Sequence, residues 1–310
     1  MNEFELIAQL TRSLPATASV VTGPGDDCAV VDLGLPDAWL LLKTDAVVEG
    51  IHFTPATPAR KVGYKALARC LSDVAAMGGV PKHAVITLAL PTTYDSAYLG
   101  ELYAGMSALA EKYQVAIVGG ETTTNPERLL VSVALLGTVE KGGALLRSTA
   151  KPGDAIMVTG ELGGSLAGKH LEFEPRLAEA RWLKEHFSIH AMIDLSDGLA
   201  GDLRHILNGS QVGAELLAPA IPISRAAKLQ TRQHPGAKTA LSAALSDGED
   251  FELLFTLPSK HAVPLCDAWK VAFPGLKLSC IGKITTGPGL KIRNHRGVME
   301  LQAHGYTHFA

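Results

Sequence analysis

The sequence predicts an α/β or α+β protein of two domains. Three observations carry this. The chain has 310 residues, more than one hydrophobic core usually organises. Short apolar runs of strand length alternate with segments whose apolar residues recur every 3.6 positions. A strand-like run restarts at residues 155–159 after a polar crossing, Arg147-Ser148-Thr149-Ala150-Lys151-Pro152-Gly153-Asp154. The expected division is 1–147 and 148–310.

The elements follow in order. Residues 3–13 are predicted as a short amphipathic helix with Phe4, Ile7 and Leu10 on one face. A turn at Gly23-Pro24-Gly25-Asp26-Asp27 leads into a strand through Val31. Residues 39–42 read as a buried strand ending at Thr44-Asp45. Residues 60–77 read as a helix, with Val62, Ala66, Leu67, Cys70, Leu71, Val74 and Met77 near helical spacing, closed by Gly78-Gly79-Val80-Pro81. A strand at 84–90, a helix at 95–112 and a strand at 115–118 come next. The last runs into Gly119-Gly120-Glu121-Thr122, followed by a strand at 129–138. In the second half, strands are expected at 155–159, 191–193, 250–257 and 278–284. Helices are expected at 172–190 and after Gly198. The 250–257 strand alternates as if half-buried. Residues 211–246 give no clear pattern.

Composition narrows the function. Hydrophobic residues make up 47%, which suits packed cores and not disorder. Lys and Arg number 28 against 31 Asp and Glu, for a net charge of −3. No basic block invites nucleic acid. The N-terminus lacks a basic n-region, and no apolar run approaches the roughly 20 residues of a membrane helix. Cys28, Cys70, Cys266 and Cys280 are widely spaced, so neither a zinc motif nor a disulfide framework is implied. A reducing, cytoplasmic setting is expected. There is no G-x-S-x-G nucleophile elbow.

What recurs instead is an acidic residue beside Gly, Ser or Thr at the edge of an apolar segment. The instances are Asp26-Asp27, Thr44-Asp45, Ser72-Asp73, Gly120-Glu121-Thr122, Asp194-Leu195-Ser196-Asp197-Gly198 and Asp247-Gly248-Glu249-Asp250. Carboxylates that converge repel one another unless hard cations sit between them. Oxygen-only donors suit Mg²⁺, which usually works with substrate phosphates. Each instance has a plainer reading. Asp26-Asp27 alone is a turn. Asp73, in the last turn of a helix whose dipole disfavours an anion, pairs either with Arg69 at i−4 or with a metal. Ser196 or Asp197 caps the helix that follows, which leaves Asp194 unexplained. Gly160-Glu161-Leu162-Gly163-Gly164-Ser165 is either an anion-binding loop or, more simply, a tight turn.

Number, order and spacing together give a resemblance. Gly25-Asp26-Asp27-Cys28-Ala29, Thr44-Asp45, His52-Phe53, Leu71-Ser72-Asp73-Val74-Ala75-Ala76-Met77-Gly78, Gly119-Gly120, Lys151-Pro152-Gly153-Asp154, Ile193-Asp194-Leu195-Ser196-Asp197-Gly198, Gly248-Glu249-Asp250-Phe251-Glu252-Leu253, Ile281-Gly282 and Gly305-Tyr306-Thr307-His308-Phe309 resemble, nearly end to end, the thiamine-monophosphate kinase family. That family lies within the AIR-synthetase-like (PurM-like) superfamily. The resemblance implies an N-terminal domain that dimerises through its strands, and a C-terminal α/β domain. It implies ATP and several Mg²⁺ ions in the cleft between them, and direct transfer of the γ-phosphoryl group to thiamine monophosphate. By the family pattern, Asp27, Thr44, Asp45, Asp73, Asp194 and Asp197 match metal ligands, as does Glu121. Tyr113, Gly120, Glu121, Arg147 and Ser196 match nucleotide-contacting positions. His52, Glu249 and Tyr306 match the thiamine side. Three residues depart from the pattern. Glu121 stands where the family usually has Asp. Lys43 stands where a small residue is usual, and is either a surface lysine or a replacement for one cation. Asp247 stands for a usual Gly.

Overall fold

The structure, a computed structural model, describes residues 3–234, 236 and 238–306. The side chain of Phe4 and residues 307–310, with them the Thr307-His308-Phe309 part of the tail motif, lie outside the described residues. The chain forms two compact units. One takes in Ser19–Ala144 and Gly168–Leu177; the other takes in the described residues up to Ala18, Leu145–Ala167, and those from Ala178 on. The first is called the N-terminal unit here and the second the C-terminal unit. Relative to a division at residue 147, residues 3–18, 145–147 and 168–177 change sides.

Helix α1 (Glu3–Thr11) comes first and groups with the C-terminal unit. Ile7 and Leu10, expected on one face of an amphipathic helix, are 45% and 64% exposed.

The N-terminal unit holds β1 (Val20–Thr22), β2 (Ala29–Val31), β3 (Ala38–Val48), α2 (Ala59–Ala76), β4 (Val80–Leu90), α3 (Ser96–Lys112), β5 (Ala116–Thr124) and β6 (Leu130–Glu140). Its sheet runs β1-β2-β3-β6-β4-β5, antiparallel except for the parallel pair β4 and β5. Strands β3, β4 and β5 are longer than predicted, and β4 takes in Val80-Pro81, expected as the end of a helix. Thr44-Asp45 lies inside β3, not at its end, because β3 pairs with β6 through Val48↔Leu130. Gly119-Gly120 likewise lies inside β5, paired with Val85 and Ile86. A glycine is needed at 120, where an added Cβ would stand 1.8 Å from the Ile86 carbonyl oxygen.

Side chains alternate along β3. Leu41 and Val47 are buried, whereas Leu42 is 46% exposed. Lys43 and Asp45 therefore share the face that packs on α2, and Thr44 takes the other face, 3.5 Å from Ser132 Oγ. Helix α2 packs on α3 at very close range. A Cβ at Gly63 would stand 1.9 Å from the Leu102 carbonyl oxygen, and one at Gly105 2.0 Å from that of Arg60. Asp95 caps α3 by accepting from the Ala97 N–H at 2.8 Å. Residues 168–177 are tied to this unit by Tyr64, whose hydroxyl donates to the Phe173 carbonyl at 2.8 Å, and by Lys61, 2.8 Å from Glu172.

The C-terminal unit holds β7 (Asp154–Thr159), α4 (Leu177–His186), β8 (Ala191–Asp194), α5 (Leu199–Ser210), β9 (Gly213–Leu217), α6 (Arg225–Gln233), α7 (Ala240–Ser246), β10 (Leu253–Pro258), α8 (Ala262–Ala272), β11 (Leu278–Thr285), β12 (Leu290–Asn294) and β13 (Gly297–Glu300). Its sheet order is β13-β12-β9-β11-β7-β10-β8. Only β12 with β9 is parallel among these pairings. The half-buried strand expected at 250–257 is corrected: Leu253 to Leu257 are all at most 1% exposed, because β10 sits between β7 and β8 with both faces covered. Leu199, Leu203 and Ile206 of α5 join Ala244 and Leu245 of α7 over Ile156, Val158, Ile193 and Leu254 in one core. On α4 and α8, Trp182 meets Trp269 edge-on at 5.8 Å.

Gly63→Ala is expected to destabilise the chain by about 1–3 kcal/mol, because a methyl group has no room between α2 and α3. Urea unfolding checks this, and an unchanged midpoint would contradict the crossing as described.

Candidate functional site

In the N-terminal unit the dispersed carboxylates come together around α2. Asp27 and Asp73 are 2% and 6% exposed, and carboxylate oxygens of the two approach within 4.8 Å. Asp45 joins them from β3. Two cations answer this charge. Lys43 Nζ lies 2.8 Å from Asp73 Oδ1 and 3.9 Å from Asp45 Oδ2, and Arg69 Nε lies 3.6 Å from the same Asp45 oxygen. Of the two readings for Lys43, the structure selects the inward one. Burial pulls its pKa down, but Asp73 and Asp45 outweigh that and hold it well above its ordinary value. Cys28 and Cys70 wall the cluster. Burial first, and then the neighbouring carboxylates, push both thiols well above their usual range.

Other predicted positions of this unit have partners of their own. Glu121 is exposed on the edge strand β5. Its row runs through Thr87 and Ser132 to Ala46. Three strand spacings thus separate it from β3, about 14 Å. Tyr113 closes α3 and donates its hydroxyl to the Glu174 carboxylate. His52 accepts the Val48 N–H through Nδ1 at 3.1 Å, while its carbonyl accepts from Lys65 Nζ at 2.9 Å. Lys65, fully buried on α2, also lies 2.8 Å from His170 Nδ1.

In the C-terminal unit three predicted motifs meet. The Glu249 N–H donates to the Ser196 carbonyl at 2.7 Å and the Phe251 N–H to that of Leu195 at 2.8 Å; the Tyr306 N–H donates to the Asp197 carbonyl at 2.8 Å. Approach is close enough that a Cβ at Gly248 would stand 2.7 Å from the Ser196 oxygen, and one at Gly305 2.8 Å from that of Asp197. Glu249 and Phe251 hold φ of 55° and 50°. Left-handed backbone at non-glycine residues costs on the order of 1–3 kcal/mol each and concentrates at functional sites.

The helix cap expected from Ser196 or Asp197 is not formed. Gly198 starts α5 without a side-chain cap. Asp202 Oδ2 accepts from the N–H of Asp197 at 3.1 Å and of Gly198 at 3.0 Å. Asp202 is 1% exposed. Burial first, then Asp197 and Asp194, push its pKa well above the ordinary 3.8, and Arg147 opposes the rise. Asp202 was legible as an acid on the apolar face of the helix, three residues after Leu199. His205, one turn on, completes a group: one donor atom each from Asp197, Asp202 and His205 lies within 4.8 Å of the others.

The glycine loop at 160–165 resolves to the structural turn. The Gly163 N–H donates to both Asp250 oxygens at 3.0 and 2.9 Å, and that of Gly164 to Asp247 Oδ2 at 3.1 Å. The loop's amides serve the chain's own carboxylates. Asp247, one of the departures, also pairs with Lys238 at 3.2 Å.

The donor sets in both units suit a hard divalent cation. Asp27, Asp45 and Asp73 supply carboxylate oxygens in one, Asp194 and Asp197 in the other. Lys43 already takes up part of the charge in the first.

Comparison with known proteins identifies the lineage. Residues 25–139 match the family described as AIR synthase related protein, N-terminal domain. A thiamine-monophosphate kinase of Rhodopirellula baltica is 41% identical over 288 residues, covering 90% of this chain and 87% of the relative. The chain belongs to the thiamine-monophosphate kinase family. The relative of that name from Escherichia coli K12 is 36% identical, covering 99% of this chain and 98% of its own length. Among solved structures, AaThiL complexed with AMPPCP and TMP superposes with a TM-score of 0.83 at 30% identity, covering 99% of this chain and 97% of that one. E. coli HypE, a hydrogenase maturation protein, superposes at 0.73 with 20% identity and shares the fold alone. The architecture is thus the two-domain PurM-like fold of the family. No helix among the described residues is long and apolar enough to cross a membrane.

Asp202 gives a pH prediction. Its folded-state pKa is raised, so its stabilising contribution is present below the unfolded value of 3.8 and is lost as pH rises through the folded value. Asp202→Asn keeps an acceptor oxygen without the charge. In the presence of a chelator the variant should lose less stability than the unsubstituted chain between mildly acidic and neutral pH. Parallel pH profiles in urea unfolding would contradict a buried, charge-strained Asp202.

Proposed function

We propose that this chain transfers the γ-phosphoryl group of ATP directly to the phosphate of thiamine monophosphate, giving thiamine diphosphate and ADP, with Mg²⁺ as the cofactor. The observation that carries the reading is the meeting of residues 194–198, 247–251 and 305–306 at one place in the C-terminal unit, in a chain of this family.

The chemistry suits these residues. Phosphoryl transfer between two phosphate groups needs charge neutralisation and in-line positioning, not a base, since the acceptor oxygen is already ionised near neutral pH. Magnesium, when bound, screens the repulsion between donor and acceptor phosphates. Within the N-terminal unit Asp27, Asp45 and Asp73 would hold such ions, and within the C-terminal unit Asp194 and Asp197. Thr44, whose side chain faces away from Asp45, would contribute only through its main chain. Asp202 holds the Asp197-Gly198 backbone in place. Arg147, close enough to act on Asp202, and Ser196 serve the nucleotide side with Gly120 and Glu121. Tyr113, its hydroxyl committed to Glu174, would offer only its ring. His52, Glu249 and Tyr306 serve the acceptor, where an aromatic ring and a carboxylate favour a cationic thiazolium.

The uncovered face of the N-terminal sheet supports a homodimer. Leu42, Val85 and Val118 are 46%, 42% and 60% exposed there, beside a groove of about 490 Å³ that Ala134 and Leu136 also line. ATP as donor supports a cytoplasmic setting.

The first test mixes the purified chain with ATP, Mg²⁺ and thiamine monophosphate. Thiamine diphosphate should appear with ADP, and only when the acceptor is present. ADP without thiamine diphosphate would refute the assignment. Asp73→Asn should lower kcat on the order of 100-fold, and activity near that of the unsubstituted chain would remove Asp73 from the site. Tyr306→Ala should raise KM for thiamine monophosphate about tenfold and leave that for ATP little changed; equal effects on both would count against Tyr306 on the acceptor side.

A further inference from the structure

Lys43 reaches into the N-terminal carboxylate group, between Asp45 and Asp73. Three features make this a built position. The alternation of β3 turns Lys43 and Asp45 together toward α2. The Lys43 ammonium lies 2.8 Å from Asp73 Oδ1 and 3.9 Å from Asp45 Oδ2, so it bridges a strand and a helix. Its side chain is 21% exposed and that of Asp73 8%, so the bridge is poorly screened by solvent.

Charge makes the role specific. Lys43 neutralises one of the negative charges that Asp45 and Asp73 present. Without it, one more negative charge faces an added ion. A small residue at position 43 would leave both the charge and the space for a divalent ion between Asp45 and Asp73.

We propose that Lys43 is a resident cation of this site, whose ammonium stands between Asp45 and Asp73 and lowers by one the number of divalent ions that the N-terminal carboxylates bind. The proposal rests on the reading of Asp27, Asp45 and Asp73 as cation-binding residues, and it makes this chain less dependent on free divalent ion than a relative with a small residue there.

The test is direct ion binding, without nucleotide, on the full chain stripped with a chelator. Mn²⁺ is titrated against the unsubstituted chain, Lys43→Ala and Lys43→Gln, with free Mn²⁺ read by electron paramagnetic resonance. Lys43→Ala should bind one more Mn²⁺ per chain, or bind its first ion at least about tenfold more tightly. Lys43→Gln, which removes the charge and keeps the bulk, should move in the same direction by less. Lys43→Ala should also melt lower than the unsubstituted chain in chelator and gain more from added Mg²⁺. Equal stoichiometry and affinity in all three proteins would overturn the proposal and leave Lys43 a structural ion pair. If Lys43→Ala does not fold in chelator, folding on addition of Mg²⁺ supports the proposal. Failure to fold with Mg²⁺, together with Mn²⁺ binding by Lys43→Gln like that of the unsubstituted chain, overturns it. The Mn²⁺ titration is independent of turnover. A chain that shows the Mn²⁺ difference and makes no thiamine diphosphate sinks the kinase assignment alone.

Discussion

A carboxylate taken out of water must be answered, and the two units answer it by different means. An isolated buried anion is too costly to persist; it needs a cation, N–H donors or a proton. The N-terminal unit uses side-chain cations, Lys43 and Arg69, against Asp45 and Asp73. The C-terminal unit uses main-chain amides. Asp202 takes those of Asp197 and Gly198, and Asp250 and Asp247 take those of Gly163 and Gly164. The geometry of the site follows from these pairings, because each one pins one segment of the chain to another.

Close backbone approach is the second requirement. Gly120, Gly248 and Gly305 sit where a Cβ would stand 1.8, 2.7 and 2.8 Å from a carbonyl oxygen. At these three positions packing by itself requires glycine. In the loop at 160–165 the amides at Gly163 and Gly164 are consumed by Asp250 and Asp247, so a loop with the right composition for an anion is fastened to carboxylates of the same chain.

Much of the fold was legible. Helices α2 and α3 and strands β2 and β8 fall where periodicity and turn residues put them, because their apolar faces are buried against neighbours in the expected way. Other readings missed. Asp45 and Gly120 looked like strand ends because polar residues interrupt the apolar run, yet pairing with β6 and β4 carries both strands onward. Phe251, Leu253, Phe255 and Leu257 alternate in the sequence, but β10 is central to its sheet and buried throughout. Residues 211–246 gave no pattern and contain β9, α6 and α7. Short elements in a mixed sheet leave too little periodicity to detect.

Chemistry that is local was written in the chain: which residue types recur, in what order, and which of them sit beside glycine or serine. That was enough for the acidic motifs and for the family they resemble. Pairing was not. Lys43 and Asp73 are far apart in sequence and meet because the register of β3 and the packing of α2 turn them toward one another. Asp202 and the Asp197 amide are near in sequence, yet only the turn at Gly198 brings them into contact. Which cation or amide answers each carboxylate is set by strand register, helix packing and burial together, and these exist only in the folded chain.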